Sequence, residues 1–82
     1  MSKCRRLLEK AENSPHSLRF DELCALARCY GWVFKRQRGS HQVWENPNLT
    51  TDQGRRKTFQ PIQGMAPGYQ VKDLLGSIEG LT

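Results

Sequence analysis

Three stretches of the chain repeat apolar residues at helical spacing, and the segment between the second and third alternates as strands do. Cys4, Leu7, Leu8 and Ala11 fall at i, i+3, i+4 and i+7. That is one stripe of a helix over Ser2–Glu12. Lys3, Arg5, Arg6, Glu9 and Lys10 take its other faces, and Asn13-Ser14-Pro15 stops it. Leu23, Leu26, Ala27 and Tyr30 repeat the pattern and predict a helix from Phe20 to Tyr30. Asp21 and Glu22 suit its first turn, where the helix dipole is positive. Arg28 suits its last turn, and Gly31 its C-terminal stop. Val71, Leu74, Leu75 and Ile78 predict a third helix, Tyr69 to Glu79, ended by Gly80. Gly76 weakens it by about 1 kcal/mol relative to alanine.

Trp32–Gln37 is rich in aromatic and β-branched residues, and Val43-Trp44 continues that signal. Gly39-Ser40 lies between them and can take the positive φ of a tight turn. The result is a β-hairpin, Trp32–Gln37 with His41–Glu45. Asn46-Pro47-Asn48 breaks the second strand, and Leu49–Gly54 reads as a polar loop. Arg55-Arg56-Lys57 then leads into a short third strand, Thr58–Gln60. Pro61–Gly68, with two Pro and two Gly, is a connection. The order α-α-β-β-β-α predicts a two-layer α+β domain, a three-stranded antiparallel sheet with helices on one face. The other face can remain open to a ligand. Alternation leaves the side of His41 undecided. It shares one face with Val43, and Gln42 shares the other with Trp44.

Composition sharpens this. An 82-residue chain that is 37% hydrophobic has room for one small core. Two Trp, two Tyr and three Phe must supply much of its volume. The net charge of +5 and pI near 9.5 favour an anionic partner. Between Lys35 and Lys57, six Lys/Arg stand against Glu45 and Asp52, a net of +4. Most of the excess charge therefore belongs to the sheet. No apolar run approaches the roughly 20 residues of a membrane span. Met1–Ala11 has no signal-peptide segment, so a cytoplasmic location is expected. Cys4, Cys24 and Cys29 have neither CxxC nor zinc-ligand spacing and read as reduced, small core residues.

The chemistry concentrates at Lys35–Val43. His41 follows the Gly-Ser turn and lies beside Lys35, Arg36 and Arg38. Histidine, which ordinarily titrates near pH 6.5, can move a proton at neutral pH. RNA brings its own nucleophile, the 2′-hydroxyl. A histidine for proton transfer and guanidinium groups on the phosphate are what cleavage needs. Arg55, Arg56 and Lys57 could extend the phosphate-binding face. Ser40 has no adjacent base and reads as a turn residue, and His16 as a surface residue. No carboxylate cluster has metal-binding spacing, so neither metal nor cofactor is expected. Two other classes fit the same cations. One is a non-catalytic RNA-binding module, the other a protein that only docks an acidic partner. No basic recognition helix of the DNA-binding kind is visible.

Gly31-Trp32 followed by Lys35-Arg36-Gln37-Arg38-Gly39-Ser40-His41 resembles the signature of HicA-type toxins of HicAB toxin–antitoxin systems. Gln60-Pro61, Gly64, Ala66 and Tyr69-Gln70-Val71 resemble one branch of that family. The resemblance covers residues 18–81 and leaves residues 1–14 as a helical extension within one 82-residue domain. It implies a fold similar to a double-stranded-RNA-binding domain, and an mRNA-cleaving ribonuclease restrained by a HicB-type antitoxin. It places the catalytic histidine on His41. The cations and turn around it put the expected RNA contacts on Lys35, Arg36, Arg38, Gly39, Ser40, Arg55, Arg56 and Lys57. Gln42, Gln60 and Gln63 stand where many relatives carry a further histidine. Met65 and Pro67 replace a lysine-bearing connection.

Overall fold

The structure is a computed structural model describing residues 2–81. Its elements run α1 (Lys3–Asn13), α2 (Phe20–Cys29), β1 (Val33–Arg38), β2 (His41–Glu45), β3 (Arg56–Phe59) and α3 (Gly68–Glu79), with short 3-10 turns at Pro15–Ser17 and Thr51–Gln53. The predicted order α-α-β-β-β-α holds. The strands form one antiparallel sheet in the order β1-β2-β3.

Local chemistry accounts for the helix ends. Ser2 caps α1, its hydroxyl accepting from the Arg5 N–H at 3.1 Å. Glu22 reaches back to the Arg19 N–H at 2.9 Å and so satisfies a donor at the start of α2. At the other end of α2, Gly31 takes φ +103°. The Gly31 N–H then bonds the Arg28 carbonyl and the Trp32 N–H bonds the Ala27 carbonyl, a Schellman stop. A β-carbon at position 31 would also meet the Asn46 side chain at 3.1 Å. Asn46 is fully buried, and its amide donates to the Tyr30 carbonyl at 2.9 Å. That bond ties the end of α2 to the end of β2.

The core lies between the helices and one face of the sheet. Leu7 and Ala11 from α1, Leu23, Leu26 and Ala27 from α2, and Val71, Leu74 and Ile78 from α3 meet Trp32, Trp44 and Phe59 there. All three helical stripes are therefore used as predicted. The segment from Leu49 to Gly54 departs from the polar-loop reading. Leu49 is buried, and Thr51–Gln53 form a helical turn closed by Gly54 at φ +89°.

The cysteines require a correction. Cys4 and Cys29 form a disulfide with sulfurs 2.10 Å apart, so only Cys24 is free. Spacing along the chain does not show this pair, because α1 packs on α2 and brings Cys4 to the last turn of α2. Among the described residues no helix is long and apolar enough to cross a membrane.

Candidate functional site

Strand register assigns every sheet side chain to a face, because residues directly opposite one another share one. Trp44 is buried against the helices and pairs with Phe34 and Lys57, and Gln42 pairs with Gln37 and Phe59. The remaining positions form the open face. There His41 lies opposite Arg38, Val43 lies between Arg36 and Thr58, and Glu45 lies between Val33 and Arg56. His41 is thus exposed on the open face, which the sequence left undecided.

The two arginines reach that face through an irregularity. Phe34 pairs with Trp44, but Arg36 pairs with Val43, so Lys35 is an extra, unmatched residue. This β-bulge resets the alternation. In a regular strand Arg36 and Arg38 would share the side of Phe34, toward the helices. With Lys35 bulged they join His41. Phe34 is 43% exposed, yet its ring sits edge-on to the buried Trp44 with centroids 5.6 Å apart, so strict alternation would set two guanidinium groups on the side of that aromatic pair.

The turn before His41 has only two residues, and Gly39 at its first position has φ +59°. Glycine in that place fits a type II′ hairpin. No atom lies within 4 Å of where a β-carbon would sit, so backbone conformation rather than space favours glycine. Behind the turn runs a chain of amide hydrogen bonds. The Trp44 indole N–H donates to Gln42 Oε1 at 3.1 Å. The Gln42 amide donates to Gln37 Oε1 at 3.5 Å, and the Gln37 amide to the Gly39 carbonyl at 2.8 Å. A buried ring therefore anchors the hairpin tip.

The nine residues singled out from the sequence separate into three groups. Lys35, Arg36, Arg38, Gly39, Ser40 and His41 lie together on the exposed hairpin. Among the described residues no acidic side chain forms an ion pair with Lys35, Arg36 or Arg38. Arg55 and Arg56 lie at the far end of the sheet, with Nε 3.9 and 3.7 Å from the Glu45 carboxylate. Arg55 also donates to the Leu49 carbonyl at 3.2 Å. Lys57 belongs to neither group. It is buried on the helix side, and its ammonium is 2.7 Å from Asp73 on α3. Its place is explained by β3 beginning at Arg56, two residues earlier than the sequence suggested.

Cys24 is no nucleophile. Burial pushes its thiol up to about 11, and the sulfur sits 3.7 Å from Gln42 Oε1. His16 lies outside the sheet, on the 3-10 turn packed against the start of α3. Among the described residues, no three His, Cys, Asp or Glu side chains are grouped to hold a metal ion. What remains is one exposed imidazole flanked by unpaired cations on an open sheet face, a geometry suited to proton transfer beside a phosphate.

A family model described as HicA toxin of bacterial toxin-antitoxin matches residues 20–78 of the 82. α1 lies before the matched region. No curated protein and no solved structure gives a significant match.

Proposed function

Since the chain belongs to the HicA toxin family of bacterial toxin–antitoxin systems, we propose that it is an endoribonuclease toxin that cuts single-stranded mRNA with His41 as its acid–base group. The observation that carries this reading is His41 itself, exposed opposite Arg38 on the open sheet face. An RNA strand laid over that face meets Arg36 and Arg38 through its phosphates. A guanidinium donates two hydrogen bonds at once and takes up charge that develops on the phosphoryl oxygens. The 2′-hydroxyl attacks the adjacent phosphorus, its proton leaves, and the 5′-oxygen departs with a proton. The products are a 2′,3′-cyclic phosphate and a 5′-hydroxyl. His41 serves one of the two proton transfers, a contribution on the order of 10²–10⁴-fold, and water the other. With one imidazole at the site, slow turnover is expected.

The reaction needs no metal, and its place is the cytoplasm, where mRNA is. An acidic HicB-type antitoxin would silence the toxin by covering His41 and the basic hairpin. Opposite charge would steer that encounter, so association should slow at high ionic strength.

The test pairs two assays on His41→Ala. Cleavage of a labelled single-stranded RNA in chelator should be abolished, while thermal unfolding matches the wild type because an exposed hairpin residue adds little to the core. Retained cleavage by the folded variant would remove His41 from the mechanism. Wild-type cleavage that vanishes in chelator would replace the mechanism with metal-dependent chemistry.

A further inference from the structure

One large aromatic side chain is left out of both the core and the sheet site. Tyr69, in the first turn of α3, is 70% exposed. The residues beside it, Gln70 and Val71, are buried. Exposure does not leave the ring loose. Its hydroxyl accepts from the Gln70 amide at 3.3 Å. Gln70 is itself 6% exposed, and its Oε1 accepts from the Gln60 N–H at 3.2 Å. Gln60 follows directly on β3. The last ladder pair is Gln42 with Phe59, so Gln60 lies one residue past the pairing of Gln42, the neighbour of His41. A path of two hydrogen bonds and one amide group therefore leads from the Tyr69 ring to the end of β3, at the end of the sheet that carries His41.

The surroundings suit a nucleic acid. Lys72, one turn along α3, is exposed and forms no ion pair among those of the described residues. The His16 imidazole occupies the space that a side chain at position 68 would fill, so a second ring lies against the same helix start. Rings with cations alongside are how single-stranded RNA is held. Bases stack on the rings, and the backbone follows the charge.

We propose that Tyr69 is a stacking platform for one nucleobase of the RNA, close to the nucleotide whose phosphate lies at His41. The proposal rests on the ribonuclease reading and adds a base-binding subsite to it. A strand crossing the open face at His41 passes Gln60 and reaches α3 at Tyr69, where one unpaired base turns onto the ring. The contact favours single-stranded over duplex RNA, since a paired base cannot leave its stack without cost.

The experiment is a cycle between ring and base. The probe is a short 2′-O-methyl oligoribonucleotide, which lacks the nucleophile and stays intact. One abasic position is walked along it, and affinity is measured at low salt for wild type, Tyr69→Phe and Tyr69→Ala. One abasic position should weaken wild-type binding by roughly 5- to 150-fold, the range for a lost base–aromatic stack. Tyr69→Ala should lose a similar factor on the intact probe and be indifferent to that same abasic position. Tyr69→Phe keeps the ring and loses the bond to Gln70, so its affinity should fall between those of wild type and Tyr69→Ala and should still depend on that abasic position. Equal affinities of Tyr69→Ala and wild type for the intact probe would overturn the subsite and leave the ribonuclease reading standing. Failure of wild type to bind the probe at all would overturn both. Should Tyr69→Ala keep its RNA affinity and lose binding to a protein antitoxin, the ring belongs to that interface and the proposal fails.

Discussion

At the scale of the residue, Lys35 is the unmatched residue of the β1 bulge, and bulging it out leaves Arg36 and Arg38 beside His41. Lys35→Ala keeps the bulge and should weaken RNA binding only by one cation. Deleting Lys35 removes the extra residue, so regular alternation from Phe34 keeps Arg36 opposite Val43 and Arg38 opposite His41. Binding to single-stranded RNA should then fall no further than in Lys35→Ala. A much larger loss on deletion, measured side by side by fluorescence anisotropy, would show that the register does not set the face. The candidate site was legible as composition, since the cations, the turn and His41 are contiguous. Its three-dimensional form was not. A bulge changes register by one residue, and Lys57 looks the same in sequence whether its ammonium meets solvent or Asp73.

At the scale of the element, α1 is held to the rest by three means. Leu7 and Ala11 are buried in the core, Cys4 is bonded to Cys29, and the Lys10 ammonium lies 2.9 Å from both oxygens of Glu22. Reducing the disulfide should cost about 2–4 kcal/mol, because it releases a crosslink spanning 25 residues. Thermal unfolding with and without reductant measures this, and Cys4→Ala should be insensitive to reductant. The Arg19 N–H bond, then Lys10, holds the Glu22 carboxyl below its usual value of 4.5. A lowered carboxylate pKa stabilises the fold above the unfolded value and loses that contribution as pH falls through the folded one. Stability should therefore decline below pH 4.5, and the decline should be shallower in Glu22→Gln. A Glu22→Gln acid limb that superimposes on the wild type would rule this linkage out. The helices themselves were legible because an apolar i, i+3, i+4, i+7 stripe matches the period of a helix and not that of a strand. The disulfide was not, because pairing depends on how two helices meet and not on the spacing within either.

At the scale of the whole molecule, charge and layering divide the labour. The helices and one sheet face hold the core, and residues 35 to 57 carry a net charge of +4. RNA affinity should fall steeply with salt as counterions are released. Replacing both Arg36 and Arg38 with Ala should flatten that dependence by roughly 1.4 log units per decade of salt, at about 0.7 for each phosphate contact on a single strand. Lys3→Ala with Arg6→Ala, on the helix layer, serves as the control and should leave the slope unchanged. An equal slope change in the control pair would mean that RNA does not select the sheet face. The strand order has a further consequence, in time. Each strand pairs with its neighbour in sequence, across a two-residue turn and a ten-residue connection. Within the sheet little chain must be gathered before the contacts that reward it, and folding on the order of milliseconds follows. Synthesis takes seconds, so a toxin built this way is competent almost as soon as it leaves the ribosome. On the proposed toxin–antitoxin reading, restraint would then come from an inhibitor already present, and not from any delay in the toxin's own assembly.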